Sequence, residues 1–129
     1  YPMATAIAEK TEAMVSRGII NSRMKDFYDV WLLSELFDHD YSTLRKAVGN
    51  TFARRKVPMP LKTPDAWTTE FAANPIEATQ WNAFLRTNVL QAAPADFGLV
   101  VARIAMFLSP VFFPPAETPA KWLAAQGWK

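Results

Sequence analysis

Proline constrains this chain more than any other residue type. Ten prolines, at Pro2, Pro58, Pro60, Pro64, Pro75, Pro94, Pro110, Pro114, Pro115 and Pro119, punctuate it. Each lacks an amide hydrogen and fixes its own φ, so a proline breaks helix interiors and is excluded from central strands. The segments between them carry apolar residues at three- and four-residue spacing, which predicts helices separated by proline-marked connections. No stretch shows sustained alternation and no dipeptide marks a tight hairpin, so the expected class is all-α, a compact multi-helix domain over residues 1–129 with a Pro/Trp-rich tail at 111–129.

The first helix is expected from Met3 to Arg17, stopped at Gly18. The second starts after a cap at Asn21 or Ser22 and carries Met24, Tyr28, Trp31, Leu32 and Glu35 on one side, ending near Phe37. Ser42 is the expected cap of a third, in which Leu44, Val48 and Phe52 form a buried stripe while Arg45, Lys46 and Arg55 face water. Thr63-Pro64-Asp65 reads as the start of a short helix. Glu77 to Leu90 reads as an aromatic-packed helix, and Pro94 to Leu108, with Phe97, Val101, Ile104 and Leu108 in register, as the central one. The tail either lays Trp122 and Trp128 over the body or frays.

Half of the 129 residues are apolar and a fifth are charged, enough for a real core without staples. There is no cysteine, which excludes disulfides and thiolate metal sites and suits a cytoplasmic protein. The longest apolar stretch, near Ile104 to Phe113, is too short to span a bilayer, so no membrane partner is expected. A first residue that is Tyr rather than Met suggests a fragment of a longer chain.

Three placements invite a chemical reading. Lys10 falls between Met3, Ile7 and Met14 on the helical wheel, away from Glu9 and Glu12, so its ammonium either snorkels past the core or meets an acceptor in a cleft. Asp26 and Asp29 project from one side of the second helix in its opening turns, either complementing the helix dipole or holding a cation or a proton. Asp38-His39-Asp40 has paired-carboxylate spacing but lies at a helix junction, where a turn is the simpler account. His39 is the one histidine, so a histidine-based zinc site is excluded. A basic run, Arg45, Lys46, Arg54, Arg55, Lys56 and Lys62, reads as a solvated face, with phosphate binding as the alternative.

The stretch from Ala8 to Leu33, with Glu9, Lys10, Lys25, Asp26, Asp29 and Val30 as its carriers, resembles the AbiEii/AbiGii abortive-infection toxins, nucleotidyltransferase-like proteins of bacterial toxin-antitoxin pairs. Thr51-Phe52-Ala53-Arg54-Arg55, the Trp81 to Leu85 segment, Ala95-Asp96-Phe97 and the closing tryptophans are similar to that family's helical C-terminal half. The resemblance implies that catalytic strands bearing a Gly-Ser turn and an Asp-x-Asp motif belong to an N-terminal domain not contained in this chain. It further implies that Lys10, Asp26 and Asp29 are catalytic. Glu9, Arg17, Arg23 and Lys25 are expected beside them as substrate-binding residues, with no metal ligand among these helices. Mg2+ and a nucleoside triphosphate are the implied cofactors of the parent, with none expected on this chain alone. The implied partners are the N-terminal domain, an antitoxin protein and an RNA acceptor. Lys25 stands where the family has arginine, which keeps charge and loses the planar fork. The alternative function is a non-catalytic helical interaction module, suggested by the abundance of Trp and Phe together with the absent catalytic motif.

Overall fold

The computed structural model describes residues 2–17, 23–88, 90 and 92–129. Helix α1 runs Met3–Arg17 and buries Ile7, Ala8, Thr11 and Met14 along one stripe. Helix α2, Met24–Leu36, buries Met24, Phe27, Val30, Trp31 and Ser34, so its inner face lies to one side of the expected one. Tyr28 is left at the margin, and Glu35 turns to Arg103 at 3.2 Å. The α2 cap position is Arg23, which makes no side-chain cap bond, while the expected stop at Gly18 and caps at Asn21 or Ser22 lie outside the described residues.

Three boundaries differ from expectation for local reasons. Helix α3, Tyr41–Arg54, is capped by Asp40 rather than Ser42, because the Asp40 carboxylate accepts from both the Thr43 amide and hydroxyl. The Thr63-Pro64-Asp65 start yields only a 3-10 turn at Asp65–Trp67; Thr68 then caps α4, Thr69–Ala73, and α5 opens directly on Pro75 and ends at Asn88. Helix α6, Phe97–Phe112, is capped by Asp96 and carries Pro110 inside its last turn, so one proline does not separate segments. The Pro110 carbonyl is put to use there, accepting from the Tyr41 hydroxyl at 2.6 Å.

The largest departure from an all-helical chain is a small antiparallel sheet of order β1-β2-β3. Strand β1 is His39–Asp40, β2 Lys121–Leu123 and β3 Gly127–Trp128, with His39 opposite Trp122 and Trp122 opposite Trp128. Strands this short present no alternation to read. The tail is therefore built into the body: Trp122 is fully buried and its indole N–H donates to the Ser34 carbonyl at 2.8 Å, while that of Trp128 donates to Phe107 at 2.9 Å. Asp38 accepts from the Ala124 amide at 2.8 Å, so the Asp-His-Asp run serves sheet and helix-cap bonding rather than an ion.

Helix α1 lies chiefly against α3, and α2 against α6. Between them Phe27 stacks on Phe71 at 5.6 Å and meets Phe97 edge-on at 5.3 Å, while Trp81 stacks on Phe97 at 5.2 Å and donates to the Pro94 carbonyl. This aromatic cluster ties α2 to α4, α5 and α6, while α1 also packs directly on α2, with Lys10 facing the opening turns of α2.

A lysine-carboxylate cluster in an open groove

Lys10 sits at the margin of the buried α1 stripe and does not snorkel into bulk water. Its ammonium crosses to α2, where Nζ lies 2.8 Å from Asp29 Oδ2 and 3.9 Å from Asp26 Oδ1. Spacing of three residues places both acids on the α1-facing side of α2, and Asp26 in the first turn gains from the exposed N–H groups there.

The two acids occupy unlike surroundings. Asp26 is 5% exposed; burial pushes its pKa above the ordinary aspartate value, against the pull of Arg23 and Lys10. For Asp29 burial acts in the same direction, but hydrogen bonds from Lys10 and from Lys25, at 2.7 Å, outweigh it and hold the pKa below the ordinary value. Two neighbouring carboxylates driven in opposite directions are suited to unlike tasks, one carrying charge and one handling a proton.

An open groove of about 330 Å³ lies beside the cluster, lined by Ala6, Glu9, Lys10, Ala13, Arg23, Asp26 and Arg55. Asp29 is not in its wall. With Lys25 it lines a separate groove of about 250 Å³ that also has Tyr28, Phe84 and Asn88. Of the seven sequence-derived site residues, four thus share one groove, Asp29 and Lys25 stand behind it, and Arg17 lines neither, acting on Asp26 and Glu12 only through its field.

Sequence reasoning missed two members. Glu12, expected away from the core, is 6% exposed, with Oε1 accepting from Arg55 Nη1 at 2.7 Å and Oε2 from the Ser16 hydroxyl. Arg55 is exposed, as expected, but it also reaches from the end of α3 into the groove, and Arg54 pairs with Glu9 at 3.2 Å. Arg45 is exposed, as expected, and also donates to the Val111 carbonyl. Glu12 and Ser16 stand one helical turn apart, a spacing that allows their bond, but no local pattern discloses that α3 packs on α1.

A divalent ion does not fit between Asp26 and Asp29 as they stand, since the Lys10 ammonium already takes the position of a cation. Among the described residues no group of three or more His, Cys, Asp or Glu side chains could hold a metal ion. No described helix is long and apolar enough to cross a membrane.

A mostly helical protein with a lysine held by acids at the wall of a cation-rimmed groove is the class that fold and site define. Residues 1–103 match the family model "Nucleotidyl transferase AbiEii toxin, Type IV TA system", and the chain belongs to that family. The match takes in α1 to α5 and the opening turns of α6, and stops short of the closing tryptophans. No curated protein and no solved structure matches the chain.

Proposed function

We propose that these helices form one wall of a nucleotidyl-transfer site, whose other wall is an N-terminal strand domain carrying the metal-binding acids. The supporting observation is the convergence of Lys10 and Asp26 on a single groove, with the ammonium 2.8 Å from a carboxylate that does not line it.

In this reading the Lys10 ammonium contacts the phosphates of a nucleoside triphosphate, and Arg23 adds a second positive charge. Asp26 accepts the proton of the acceptor hydroxyl as its oxygen attacks the α-phosphorus and pyrophosphate departs. A carboxylate whose pKa is raised by burial is a better proton acceptor than an ordinary aspartate. Asp29 is a positioning residue: it orients the Lys10 ammonium from behind and is itself held by Lys25. Glu9 acts at the rim and Arg17 only through its field, and exposed charge of this kind has small effects. The acceptor class is an RNA end, and an antitoxin is the protein partner that a toxin-antitoxin family implies. Mg2+ in this scheme belongs to the opposite wall.

The test is nucleotide transfer by the full-length protein and its Lys10→Ala and Asp26→Ala variants. A fall of about a hundredfold or more in kcat/KM for each is expected from loss of a charge stabiliser and of a proton acceptor. Undiminished transfer by both variants would remove the roles assigned here and leave a helical interaction module.

A further inference from the structure

We infer that Arg55 is a phosphate-contacting residue of the same groove and that the buried Glu12 positions it. This inference rests on the reading of the groove as a nucleotide site and adds a residue on a third structural element.

Arg55 is the C-cap residue of α3, and its amide donates to the Thr51 carbonyl, so its backbone is anchored. Its guanidinium meets Glu12 through Nη1 at 2.7 Å and lies 3.5 Å from Glu9 through Nη2, with the side chain 39% exposed. Glu12 holds one edge of the planar fork, and the Ser16 hydroxyl occupies its other oxygen, so the carboxylate has both oxygens bonded. Removing a carboxylate from water is costly. Here Ser16 and Arg55 outweigh that burial and keep the Glu12 pKa below its ordinary value, so the group stays charged.

An arginine that only ties helices together need not line a groove, and Arg45, which bonds α3 to the Val111 carbonyl of α6, is absent from the groove wall. Arg55 differs because it lines the groove together with Lys10 and Arg23. Cations delivered by α1, by the cap of α2 and by the end of α3 thus meet in one opening. Glu9 and Asp26, the acids of that lining, are each already engaged with these or neighbouring cations. A multiply charged anion is the ligand that such convergence recognises, and a guanidinium fork fits phosphate oxygens in pairs.

Two measurements on the full-length protein test this, with sodium tripolyphosphate as the probe in the absence of divalent metal. Calorimetric titration should show Arg55→Ala binding about ten- to a hundredfold more weakly than wild type, as expected for loss of charged hydrogen bonds. Arg54→Ala, outside the groove, should bind within about twofold. On wild-type protein, an arginine-selective dicarbonyl reagent followed by peptide mass mapping should modify Arg55 several-fold more slowly when tripolyphosphate is present. Glu12→Gln should raise KM for the triphosphate with little change in kcat, and melting curves read beside it register any purely structural loss. Equal affinity of Arg55→Ala and wild type, or a modification rate unaffected by the probe, overturns the inference even if Lys10→Ala and Asp26→Ala abolish transfer. Weakened binding and protected Arg55 uphold it as an anion site even if those two variants transfer normally.

Discussion

Replacing Asp29 by Asn separates a lysine that is held from one that is merely close. The Lys10 and Asp29 side chains are 27% and 19% exposed at 2.8 Å, whereas Lys25, at 2.7 Å from the same carboxylate, is 64% exposed. The Lys25 contact is an exposed pair four residues apart on one helix, worth about 0.3–0.5 kcal/mol. The Lys10 contact is a charge-assisted bond of the class worth about 1.5–3 kcal/mol, which residual solvent screening reduces to about 1–2 kcal/mol. Asp29→Asn forfeits both and leaves two ammonium groups facing one amide, so a loss of about 1.5–2.5 kcal/mol is expected. With a urea dependence of roughly 1–3 kcal/mol per molar, the unfolding midpoint should drop by about 1 M. A double-mutant cycle of Lys10→Met and Asp29→Asn should return a coupling of about 1–2 kcal/mol at neutral pH. Because the folded pKa of Asp29 is depressed, that coupling is present above the ordinary aspartate value of 3.8 and is lost as pH falls through the lower folded value. A coupling below about 0.5 kcal/mol at pH 7 would refute the claim that Asp29 fixes the ammonium.

Asp26→Asn should move stability and activity in opposite directions. Its folded pKa is raised, so wild type is favoured in acid and loses stability as pH rises through that value; the amide variant should melt higher at pH 7, with the difference vanishing below about the ordinary value of 3.8, while transfer falls about a hundredfold. Trp122→Ala should cost about 3–5 kcal/mol in chemical denaturation. Trp122→Phe should cost only about 0.5–1.5 kcal/mol, because the Ser34 carbonyl keeps the Ala125 amide at 3.1 Å. His39 is buried and its pKa is lowered, chiefly by that burial, so its imidazole signals in proton NMR should titrate below 6.5, and stability should decline as pH falls from 6.5 through the folded value. A midpoint at or above 6.5 would contradict its placement, with Nε2 2.9 Å from the Leu33 carbonyl and the ring 5.1 Å from that of Phe107.

The helices were legible because their signals are local. Proline spacing and the apolar register of Leu44, Val48 and Phe52, or of Phe97, Val101, Ile104 and Leu108, need no knowledge of a partner. The sheet was not legible, since a two-residue strand such as His39–Asp40 exists only by virtue of residues far along the chain. The same division runs through the site. Lys10, Asp26 and Asp29 could be nominated from the helical wheels of α1 and α2, and only the packing of the two helices shows that the ammonium meets both carboxylates while Asp29 stays outside the groove wall. Glu12 and Arg55 could not, because their roles arise where α3 crosses α1, and a charged residue at the edge of an apolar stripe looks the same on a wheel whether it meets water or a guanidinium. Asp40 outcompeted Ser42 for the helix cap because its carboxylate bonds two groups of Thr43 at once.

Pairing His39 with Trp122 joins points about 80 residues apart. At a synthesis rate of about 5–20 residues per second, the first strand waits roughly 4–17 s for its mate to leave the ribosome. The hollow that receives the indole is assembled late as well, because Phe107 of α6 forms part of it, and until Trp122 follows, the Ser34 carbonyl lacks its indole donor. The pace of synthesis therefore sets the earliest moment at which this edge of α2 can close.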